Sequence, residues 1–512
     1  MLAKVCSVAV NGLEAYPVQV EVDLAGGLPL FTVVGLPDAT VRESRDRVRS
    51  ALRNSGFSFP QRRVTVNLAP ADLPKEGAGF ELPIAVGILA AEGLIPAEAL
   101  DGIVLAGEVS LEGAIKAVRG VLSMAVYYRG RGIRGLLVPA ENGAEAAIIE
   151  GLPVYAVSTI PQVVEFLTGR QPLTAMETSA SLTRPRTGGL DFGEVRGQQH
   201  AKRALEVAAA GGHNVLLVGP PGSGKTMLAQ RLPGILPEMT LDEAIETSRI
   251  HSVSGLLPSG EPLLCTRPFR SPHHSISDAG LIGGGTIPRP GEISLAHNGI
   301  LFLDEIPEYR RNVLEGLRQP LEDGTIGITR VACALSYPAR VMLIAAMNPC
   351  PCGYLGDRVR PCLCSPMQIQ KYRARISGPL LDRLDLHIEV PAVPFRELAG
   401  DGRGEESSTI RERVVCARAR QIERYKGSRT RCNAQLRPAQ MRKFCPLDAA
   451  GRSLVEQAVT RLGLSARAYM RVIKVARTIA DLEGNESVSA AHVAEAVQYR
   501  SLDRPVLVCD LK

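Results

Sequence analysis

A glycine-rich segment near the middle of the chain carries the residue types that bind the phosphates of a nucleoside triphosphate. In order, the segment reads Gly219, Pro220, Pro221, Gly222, Ser223, Gly224, Lys225 and Thr226. It fits the pattern G-x-x-x-x-G-K-[ST], whose glycines let backbone N–H groups converge on phosphate oxygens at a helix N-terminus. Lys225 would reach the β- and γ-phosphates, and the Thr226 hydroxyl would hold Mg²⁺. The alternative is a glycine-rich turn that binds nothing.

Two acids at the end of a later apolar run supply the second half of such a site. Ile300–Leu303 has the character of a short buried strand, and Asp304 and Glu305 follow it directly. In a parallel sheet the end of this strand would lie beside the phosphate-binding segment. We predict that Asp304 helps to hold Mg²⁺ and that Glu305 polarises the attacking water.

Two further polar residues have the positions of groups that act on a terminal phosphate. Asn348 follows the apolar run 341–346 and could orient the attacking water, although an asparagine before proline also favours a plain turn. Arg383 suits an arginine finger that is supplied to a neighbouring subunit's nucleotide. A salt bridge to Asp382 or Asp385 is the other interpretation of Arg383.

Arg467 lies in the first turn of a helix that the sequence predicts near the C-terminus. Ser465 is the expected N-cap of this helix. One face carries an apolar stripe, formed by Ala468, Val472, Val475 and Ile479. From here Arg467 could reach a γ-phosphate, and a merely solvated basic face is the competing interpretation.

The elements that must position these residues alternate between strand and helix. Val215–Val218 precedes the phosphate segment as an apolar run, and residues 227–232 are good helix formers. From Asp191 onward this alternation predicts a mostly parallel sheet. We divide the chain into a first unit over residues 1–170, a linker over 171–190, a core over 191–395 and C-terminal helices over 396–512.

The composition is that of an ordinary globular protein, with 512 residues, 45% hydrophobic and 22% charged. The N-terminus lacks the pattern of a signal peptide and no apolar run approaches the roughly 18 residues of a membrane span, so we expect a cytoplasmic protein without a membrane partner. Eleven cysteines argue against a disulfide framework. A net charge of +6 permits a polyanionic partner without demanding one.

Taken together, the motifs resemble those of AAA+ ATPases, specifically the magnesium-chelatase-like branch of the ComM/YifB type. The order GPPGSGKT, ILFLDE, MNP, SGPLLDR and SAR matches, and so do the segments Arg267–His274 and Arg289–Gly299. The resemblance implies a ring, a homo-hexamer, that uses ATP and Mg²⁺ to translocate single-stranded or branched DNA, with branch migration during DNA uptake and recombination. It identifies no loading partner.

The same resemblance assigns roles within the site. It implies that Asp304 and Glu305 form the second nucleotide motif, with Asn348 as the sensor, Arg383 as the finger and Arg467 as the sensor of a helical lid. The implied fold class is α/β, with an AAA+ P-loop ATPase core and a helical lid. Two function classes remain as alternatives, a magnesium-chelatase-type motor and a chaperone-like ATPase, each of which would remodel a protein partner.

The first unit resembles the α+β domain of Lon protease, which is ribosomal protein S5 domain 2-like. The likeness covers residues 71–90 and 107–122. Gly79 stands where Lon has its serine, and Leu122 stands where Lon has its lysine. Because a Ser–Lys mechanism needs a hydroxyl nucleophile and an amine base, we expect no protease activity.

Two close cysteine pairs follow the candidate sensor. Cys350, Cys352, Cys362 and Cys364 could wrap a tetrahedral Zn²⁺ with four thiolates, although the C-x-C spacing is tighter than usual. Free thiols in a loop are the alternative.

Two segments could meet DNA in a ring. One is Arg267–His274 with the glycines that follow it, and the other is a β-hairpin predicted from the Asp-Gly turn and alternating residues of 321–330. Arg330 is the candidate phosphate contact on this hairpin. We assign the neighbours His273 and His274 to structure or to the pore, because adjacent residues seldom converge on one metal ion.

Overall fold

The computed structural model describes residues 1–512 except 74, 76, 178–188, 259–260, 286–287, 330–333, 358–359, 394–403, 429 and 501–512. Much of the predicted linker over 171–190, both ends of the predicted C-terminal region over 396–512, and Arg330 therefore lie outside the described residues. In the part of the chain that is described, no helix is long and apolar enough to cross a bilayer.

Strands and helices alternate along most of the chain. The strands are β1 (Leu2–Asn11), β2 (Glu14–Ala25), β3 (Leu30–Val34), β4 (Arg63–Ala69), β5 (Ile103–Leu105), β6 (Glu108–Val109), β7 (Ile115–Lys116), β8 (Gly135–Pro139), β9 (Val154–Val157), β10 (Val215–Val218), β11 (Phe269–Arg270), β12 (Gly283–Gly284), β13 (Arg289–Pro290), β14 (Ile300–Leu303), β15 (Thr325–Thr329), β16 (Ala334–Pro338), β17 (Met342–Met347) and β18 (Leu386–Glu389). The helices are α1 (Ala39–Asn54), α2 (Glu81–Ala91), α3 (Val121–Tyr128), α4 (Ala140–Ala147), α5 (Ile160–Leu167), α6 (Gln199–Gly211), α7 (Lys225–Arg231), α8 (Leu241–Ser254), α9 (Asp278–Ile282), α10 (Glu292–Leu295), α11 (Arg311–Gly316), α12 (Arg318–Asp323), α13 (Pro366–Arg373), α14 (Gly378–Leu381), α15 (Ser407–Arg424), α16 (Pro438–Phe444), α17 (Ala449–Leu462), α18 (Ala466–Glu483) and α19 (Ala490–Gln498).

The first of two compact units comprises Met1–Thr183 and Thr240–Cys265. Its seven-stranded sheet has the order β3-β4-β2-β1-β5-β8-β9, antiparallel in the middle and parallel towards both edges. Helix α2 is apolar on all sides and is almost completely buried against β1 and β2, as a helix of that composition must be.

Helix α8 belongs to this first unit, although the sequence division placed it inside the core of 191–395. The backbone N–H of Gly120 donates to the carbonyl of Ser252 over 3.3 Å, and Arg249 Nε donates to Ser123 Oγ over 3.2 Å. Helix α8 thus packs on α3 of the first unit. The chain between the two nucleotide motifs contributes an element to a different compact unit from the motifs themselves.

The second unit comprises Arg184–Met239 and Thr266–Lys512 and contains a five-stranded sheet of order β11-β14-β17-β10-β18. All four strand pairs are parallel, which confirms the predicted α/β class with a parallel sheet. Every residue of β10 and β14 is buried, as expected for strands covered on both faces. Because the strands run in one direction, their carboxyl ends meet at one edge of the sheet.

The C-terminal helices of the second unit pack against α6 of the core. In α18, the hydroxyl of Ser465 accepts from the backbone N–H of Ala468 over 3.1 Å, which confirms the predicted N-cap. The predicted apolar stripe of this helix is also confirmed, because its four members are buried.

A buried carboxylate ties α18 to the start of the central strands. Asp385 accepts from the backbone N–H of Asn214 over 3.0 Å, forms an ion pair with Arg471 at 2.7 Å, and lies 3.4 Å from His213 Nδ1. Burial alone raises the pKa of Asp385, but Arg471 and His213 outweigh it, so the pKa lies well below its usual range. Burial lowers the pKa of His213, which keeps that ring neutral near pH 7.

The Asn214 side chain extends this network to two neighbouring segments. Its Oδ1 accepts from the backbone N–H of Leu343 over 2.9 Å, and its Nδ2 donates to the carbonyl of Arg383 over 3.1 Å. One amide therefore joins the start of β10, the start of β17 and the segment that carries the predicted finger.

We expect Arg471→Met to lower the free energy of unfolding by about 3 kcal/mol, because the buried Asp385 carboxylate would lose its main counter-charge. Chemical denaturation of the purified protein measures this change. The control is Arg442→Met, at an exposed position of α16, which we expect to change stability by less than about 0.5 kcal/mol. Equal effects of the two substitutions would contradict the prediction.

Candidate functional site

The phosphate segment lies between the two elements that the sequence predicted for it. Strand β10 ends at Val218 and helix α7 begins at Lys225. Gly222 and Gly224 have φ angles of 75° and 89°, a left-handed conformation in which other residues are strained. Substituting these two glycines would therefore distort the turn that points the backbone N–H groups towards a ligand.

Lys225 is buried inside the turn that it follows. Its ammonium group donates to the carbonyls of Gly219 and Pro220 over 2.7 and 2.9 Å and to Asn348 Oδ1 over 3.3 Å. Burial lowers the pKa of Lys225, and the charges of the nearby Asp304 and Glu305 act in the opposite direction. Lys225 and the candidate sensor Asn348 are therefore in direct contact at the edge of the sheet.

Thr226 and Asp304 are joined directly. The Thr226 hydroxyl donates to Asp304 Oδ2 over 2.8 Å, and Asp304 Oδ1 accepts from the backbone N–H of Glu305 over 2.9 Å. A hydroxyl beside a carboxylate is an oxygen donor set of the kind that Mg²⁺ takes when it also binds phosphates. The two motifs, far apart in sequence, form one site.

Glu305 has an unusual backbone conformation. Its φ of 50° is left-handed for a residue with a side chain, which is a strained state that clusters at functional sites. The side chain is 56% exposed, and His274 Nδ1 lies 3.9 Å from its carboxylate. The sequence assigned His274 to structure or to the pore and missed this contact, because nothing in the local pattern connects it with Glu305.

Two features around Ser223 indicate that the turn fits a polar ligand. The Ser223 hydroxyl is buried, and among the described residues its Oγ has no hydrogen-bond partner. Gln198, itself left-handed with a φ of 54°, donates from Nε2 to the Ser223 carbonyl over 2.5 Å. The sequence analysis missed Gln198, whose only local signal is the glycine before it.

Arg383 and Arg467 lie close to each other but not at the phosphate segment. They line a cavity of about 180 Å³ with Arg471 and Lys474, and none of residues 219–226, all of them described, contributes to its lining. Arg467 Nη1 is 3.9 Å from Asp382. The alternative interpretation of Arg383 was a salt bridge to Asp382 or Asp385. In the structure its guanidinium pairs with Glu322 instead.

The four cysteine sulfurs converge as a metal site requires. All lie within 4.8 Å of one another, and they are the one such group among the described residues. Cys350 Sγ is 3.3 Å from Cys352 Sγ and 3.6 Å from Cys362 Sγ. Backbone hydrogen bonds from Tyr354 and Leu363 lower the pKa of Cys352, whereas burial raises the pKa of Cys362 and of Cys364.

The cysteine loop touches the phosphate segment. A Cβ on Gly353 would come within 2.6 Å of Pro221 Cδ, so the turn between the cysteine pairs packs closely on the phosphate turn. Arg373 Nε donates to the carbonyl of Pro349 over 3.3 Å, at the start of this loop. The cysteine loop is therefore in contact with the candidate nucleotide site.

The two segments proposed for DNA contact form one assembly. Strands β15 and β16 form a hairpin, but the predicted turn is wrong: Asp323 ends helix α12 and Gly324 is the C-cap of that helix, directly before β15. A Cβ on Gly283 of β12 would lie 2.8 Å from Ile328 Cδ1. Tyr337 Oη donates to the Pro288 carbonyl over 3.0 Å. The hairpin and the glycine-rich insert therefore pack against each other, with Arg289 exposed on β13.

Comparisons with known proteins identify the family. Three family models match: "Subunit ChlI of Mg-chelatase" over residues 20–142, "Magnesium chelatase, subunit ChlI" over 191–398, and "Magnesium chelatase, subunit ChlI C-terminal" over 404–500. The chain is 48% identical over 510 residues to the competence protein ComM of Haemophilus influenzae, covering 98% of each chain. It is 46% identical over 505 residues to the uncharacterized protein YifB of Salmonella typhimurium, again covering 98% of each.

A shorter similarity involves a replication protein. The DNA replication licensing factor mcm6 of Dictyostelium discoideum is 27% identical over 194 residues, which are 38% of this chain and 19% of that protein. The family models indicate ATP and Mg²⁺ as cofactors and an oligomeric assembly. From these matches and the joined nucleotide motifs, the chain belongs to the ComM/YifB family of magnesium-chelatase-like proteins, a family of AAA+-type ATPases.

Proposed function

We propose that the protein is a ring-shaped motor that couples ATP hydrolysis to translocation and branch migration of DNA. The DNA part of this proposal rests on one observation. The chain is 48% identical in sequence, over nearly its full length, to a competence protein. The hydrogen bond between Thr226 and Asp304 supports the ATPase half, because it unites the two nucleotide motifs. A function in DNA uptake and recombination, in the cytoplasm, is part of this proposal.

In the proposed hydrolysis each residue has one task. Bound Mg²⁺–ATP supplies the phosphoryl group that passes to water. Lys225 neutralises phosphate charge, Thr226 and Asp304 hold the metal, and Glu305 accepts a proton from the attacking water. Asn348 orients that water from the neighbouring strand end. The surrounding turn, Gly219 to Gly224, presents backbone N–H groups to the phosphates.

We assign Arg383 and Arg467 to a nucleotide held by a neighbouring subunit. Their shared cavity contains four cationic side chains, which suits the negative charge that develops on a terminal phosphate. A site completed by a second copy favours a closed ring, and we propose a homo-hexamer. In this arrangement the C-terminal helices act as the lid.

The joined hairpin and insert are the proposed DNA-binding surface. Arg289, exposed on β13, is one candidate for a phosphate contact. Arg330, the contact predicted from the sequence, lies outside the described residues. By contrast, Arg270 is already bound to Glu292 by two hydrogen bonds of 2.6 and 2.7 Å, which gives it a structural task. The similarity to a DNA replication licensing factor supports single-stranded or branched DNA as the substrate.

A protein partner is the second candidate, because the family models carry the name of a magnesium chelatase subunit. A chelatase-type or chaperone-like motor would use the same nucleotide site. We further propose that the first unit is a Lon-like domain without protease activity, with Gly79 and Leu122 at the positions of the missing dyad. Its proposed task is ring assembly or DNA guidance.

We also propose a structural Zn²⁺ bound by Cys350, Cys352, Cys362 and Cys364. The convergence of the four sulfurs within 4.8 Å supports it. The ion would fix the loop that follows Asn348 and touches Pro221. Zinc would thereby contribute to the shape of the nucleotide site without taking part in hydrolysis.

Substitutions at the nucleotide site should separate binding from turnover. We expect Lys225→Ala to abolish nucleotide binding, because the phosphates lose their main cation. Glu305→Gln should retain binding and lower turnover by about 100-fold or more, because a proton acceptor is lost. Fluorescent-nucleotide binding and steady-state phosphate release measure the two effects. Normal turnover in Glu305→Gln would contradict its assignment.

DNA should stimulate ATP hydrolysis in a salt-sensitive manner. Phosphate contacts release counterions, so affinity for single-stranded and branched DNA should fall steeply between about 50 and 200 mM salt. Arg289→Ala and Arg330→Ala should each reduce the slope of log K against log salt by about 1, whereas the control Arg442→Ala should not. An unchanged ATPase rate with no DNA binding at any salt would favour a protein partner.

Metal analysis of the purified protein should find about one zinc per chain. Cys352→Ser and Cys364→Ser should lower that content, because each removes one thiolate. The matched control is Cys416→Ser, at an exposed position on α15. A content below about 0.2 zinc per chain in the unmodified protein would exclude a structural zinc.

A further inference from the structure

The guanidinium of Arg383 is neutralised within its own chain. Its Nη2 pairs with the Glu322 carboxylate, and its Nη1 donates to the Pro379 carbonyl over 2.5 Å. Only 9% of the Arg383 side chain is exposed, whereas 51% of the Glu322 side chain is exposed. An arginine held in this way cannot offer its full charge to a phosphate of another subunit.

Glu322 stands on the helix that leads into the hairpin. Helix α12 ends at Asp323, and Gly324, with a φ of 68°, turns the chain into β15. The end of β16 is bound to the same glycine, because the backbone N–H of Ala339 donates to the Gly324 carbonyl over 2.8 Å. A displacement of the hairpin would therefore be transmitted to the end of α12.

Helix α12 also contacts the arginine segment at a second point. Arg318, one turn before Glu322 and on the same helix face, donates to Ser377 Oγ over 3.1 Å. Ser377 is the N-cap residue of α14, the short helix that leads to Arg383. Two contacts on one face of α12 thus link the hairpin to the segment that carries Arg383.

The surroundings of Arg383 favour exchange of its carboxylate for another anion. The cavity beside it is lined by Arg467, Arg471 and Lys474, and Glu322 and Asp382 are its acidic members. Like charges this close repel one another, so each cation requires an anion. Asp385 lies 2.7 Å from Arg471 and Asp382 lies 3.9 Å from Arg467, which leaves the requirement of Arg383. The Glu322 carboxylate meets that requirement within one chain, and the terminal phosphate of a nucleotide on a second copy would meet it in a ring.

We propose that Glu322 is a latch that restrains Arg383 until the hairpin moves. The proposal rests on the proposed role of Arg383 as a finger in a ring ATPase. When DNA displaces the β15–β16 hairpin, α12 shifts, the ion pair opens and Arg383 turns to the neighbouring nucleotide. Glu322 is a positioning residue in this scheme, since it touches neither substrate nor metal.

The test is the steady-state ATPase rate of the assembled full-length protein, with and without single-stranded oligo-dT. Glu322→Gln removes the charge and retains the shape. We expect its basal rate to rise about two- to fivefold, the range that a partly exposed ion pair supports. Its maximal rate with DNA should remain that of the unmodified protein, so the stimulation ratio falls. A positioning role that is only structural would lower both rates.

Two variants separate the possible outcomes. Glu423→Gln is the matched control, because Glu423 of α15 forms an exposed ion pair with Lys426 at 3.8 Å and takes no part in the proposed latch. Its basal rate should not change. Arg383→Ala should lose turnover with nucleotide binding intact, and normal turnover in that variant would overturn the finger role itself.

If Arg383→Ala is inactive but Glu322→Gln has an unchanged or lower basal rate, the latch is wrong while the finger role stands. Arg318→Ala, which removes the other α12 contact, is a second variant that should raise the basal rate in the same direction. Thermal unfolding of each variant checks that the fold persists. Since Glu322 is half exposed, we expect its substitution to leave the unfolding temperature within a few degrees of the unmodified protein.

Discussion

The second unit depends on one buried carboxylate. Asp385 has no access to water, yet the charge of Arg471 and the backbone N–H of Asn214 keep it ionised at the start of β18. Separating a buried carboxylate from its hydrogen-bond and ion-pair partners costs several kcal/mol of free energy, on the order of 3–5. The elements that supply the partners of Asp385 are therefore held at fixed positions. They include the start of β10, the start of β18 and helix α18.

The geometry of the candidate nucleotide site depends on the strand ends that this network helps to align. Strand β10 lies between β17 and β18, with Val218 opposite Met347, so the phosphate turn and Asn348 leave the sheet side by side. Strand β14, next to β17, brings Asp304 to the same edge. The strained backbones of Glu305 and Gln198 lie at this edge too, where surrounding contacts compensate their cost.

The proposed DNA surface and the proposed trans-acting arginine are connected by short, rigid pieces. Helix α12 has the hairpin at its end and Glu322 beside Arg383 on its face. The cysteine loop similarly connects the strand end at Asn348 with Pro221. In both cases an element outside the nucleotide motifs touches a residue that belongs to them, which is how events elsewhere in the chain could influence hydrolysis.

The sequence by itself was informative wherever the signal was local. A four-residue apolar run before a glycine turn predicts β10, alternating apolar residues predict β15, and a serine before a helical stripe predicts the cap of α18. All three are present. The Asp-Gly pair, predicted as the hairpin turn, instead ends helix α12, because a glycine with positive φ also terminates a helix. Their physical basis is the backbone's own periodicity and capping chemistry, which are encoded within a few residues.

Only the tertiary structure decided which distant side chains meet. The sequence offered Arg383 two acidic neighbours, but the folded chain pairs it with Glu322, and it brings His274 to Glu305 and Gln198 to Ser223. It also assigns α8 to the first unit. Such contacts depend on strand order and on how whole elements pack. Neither of these produces a periodic pattern in the sequence around the residues that meet.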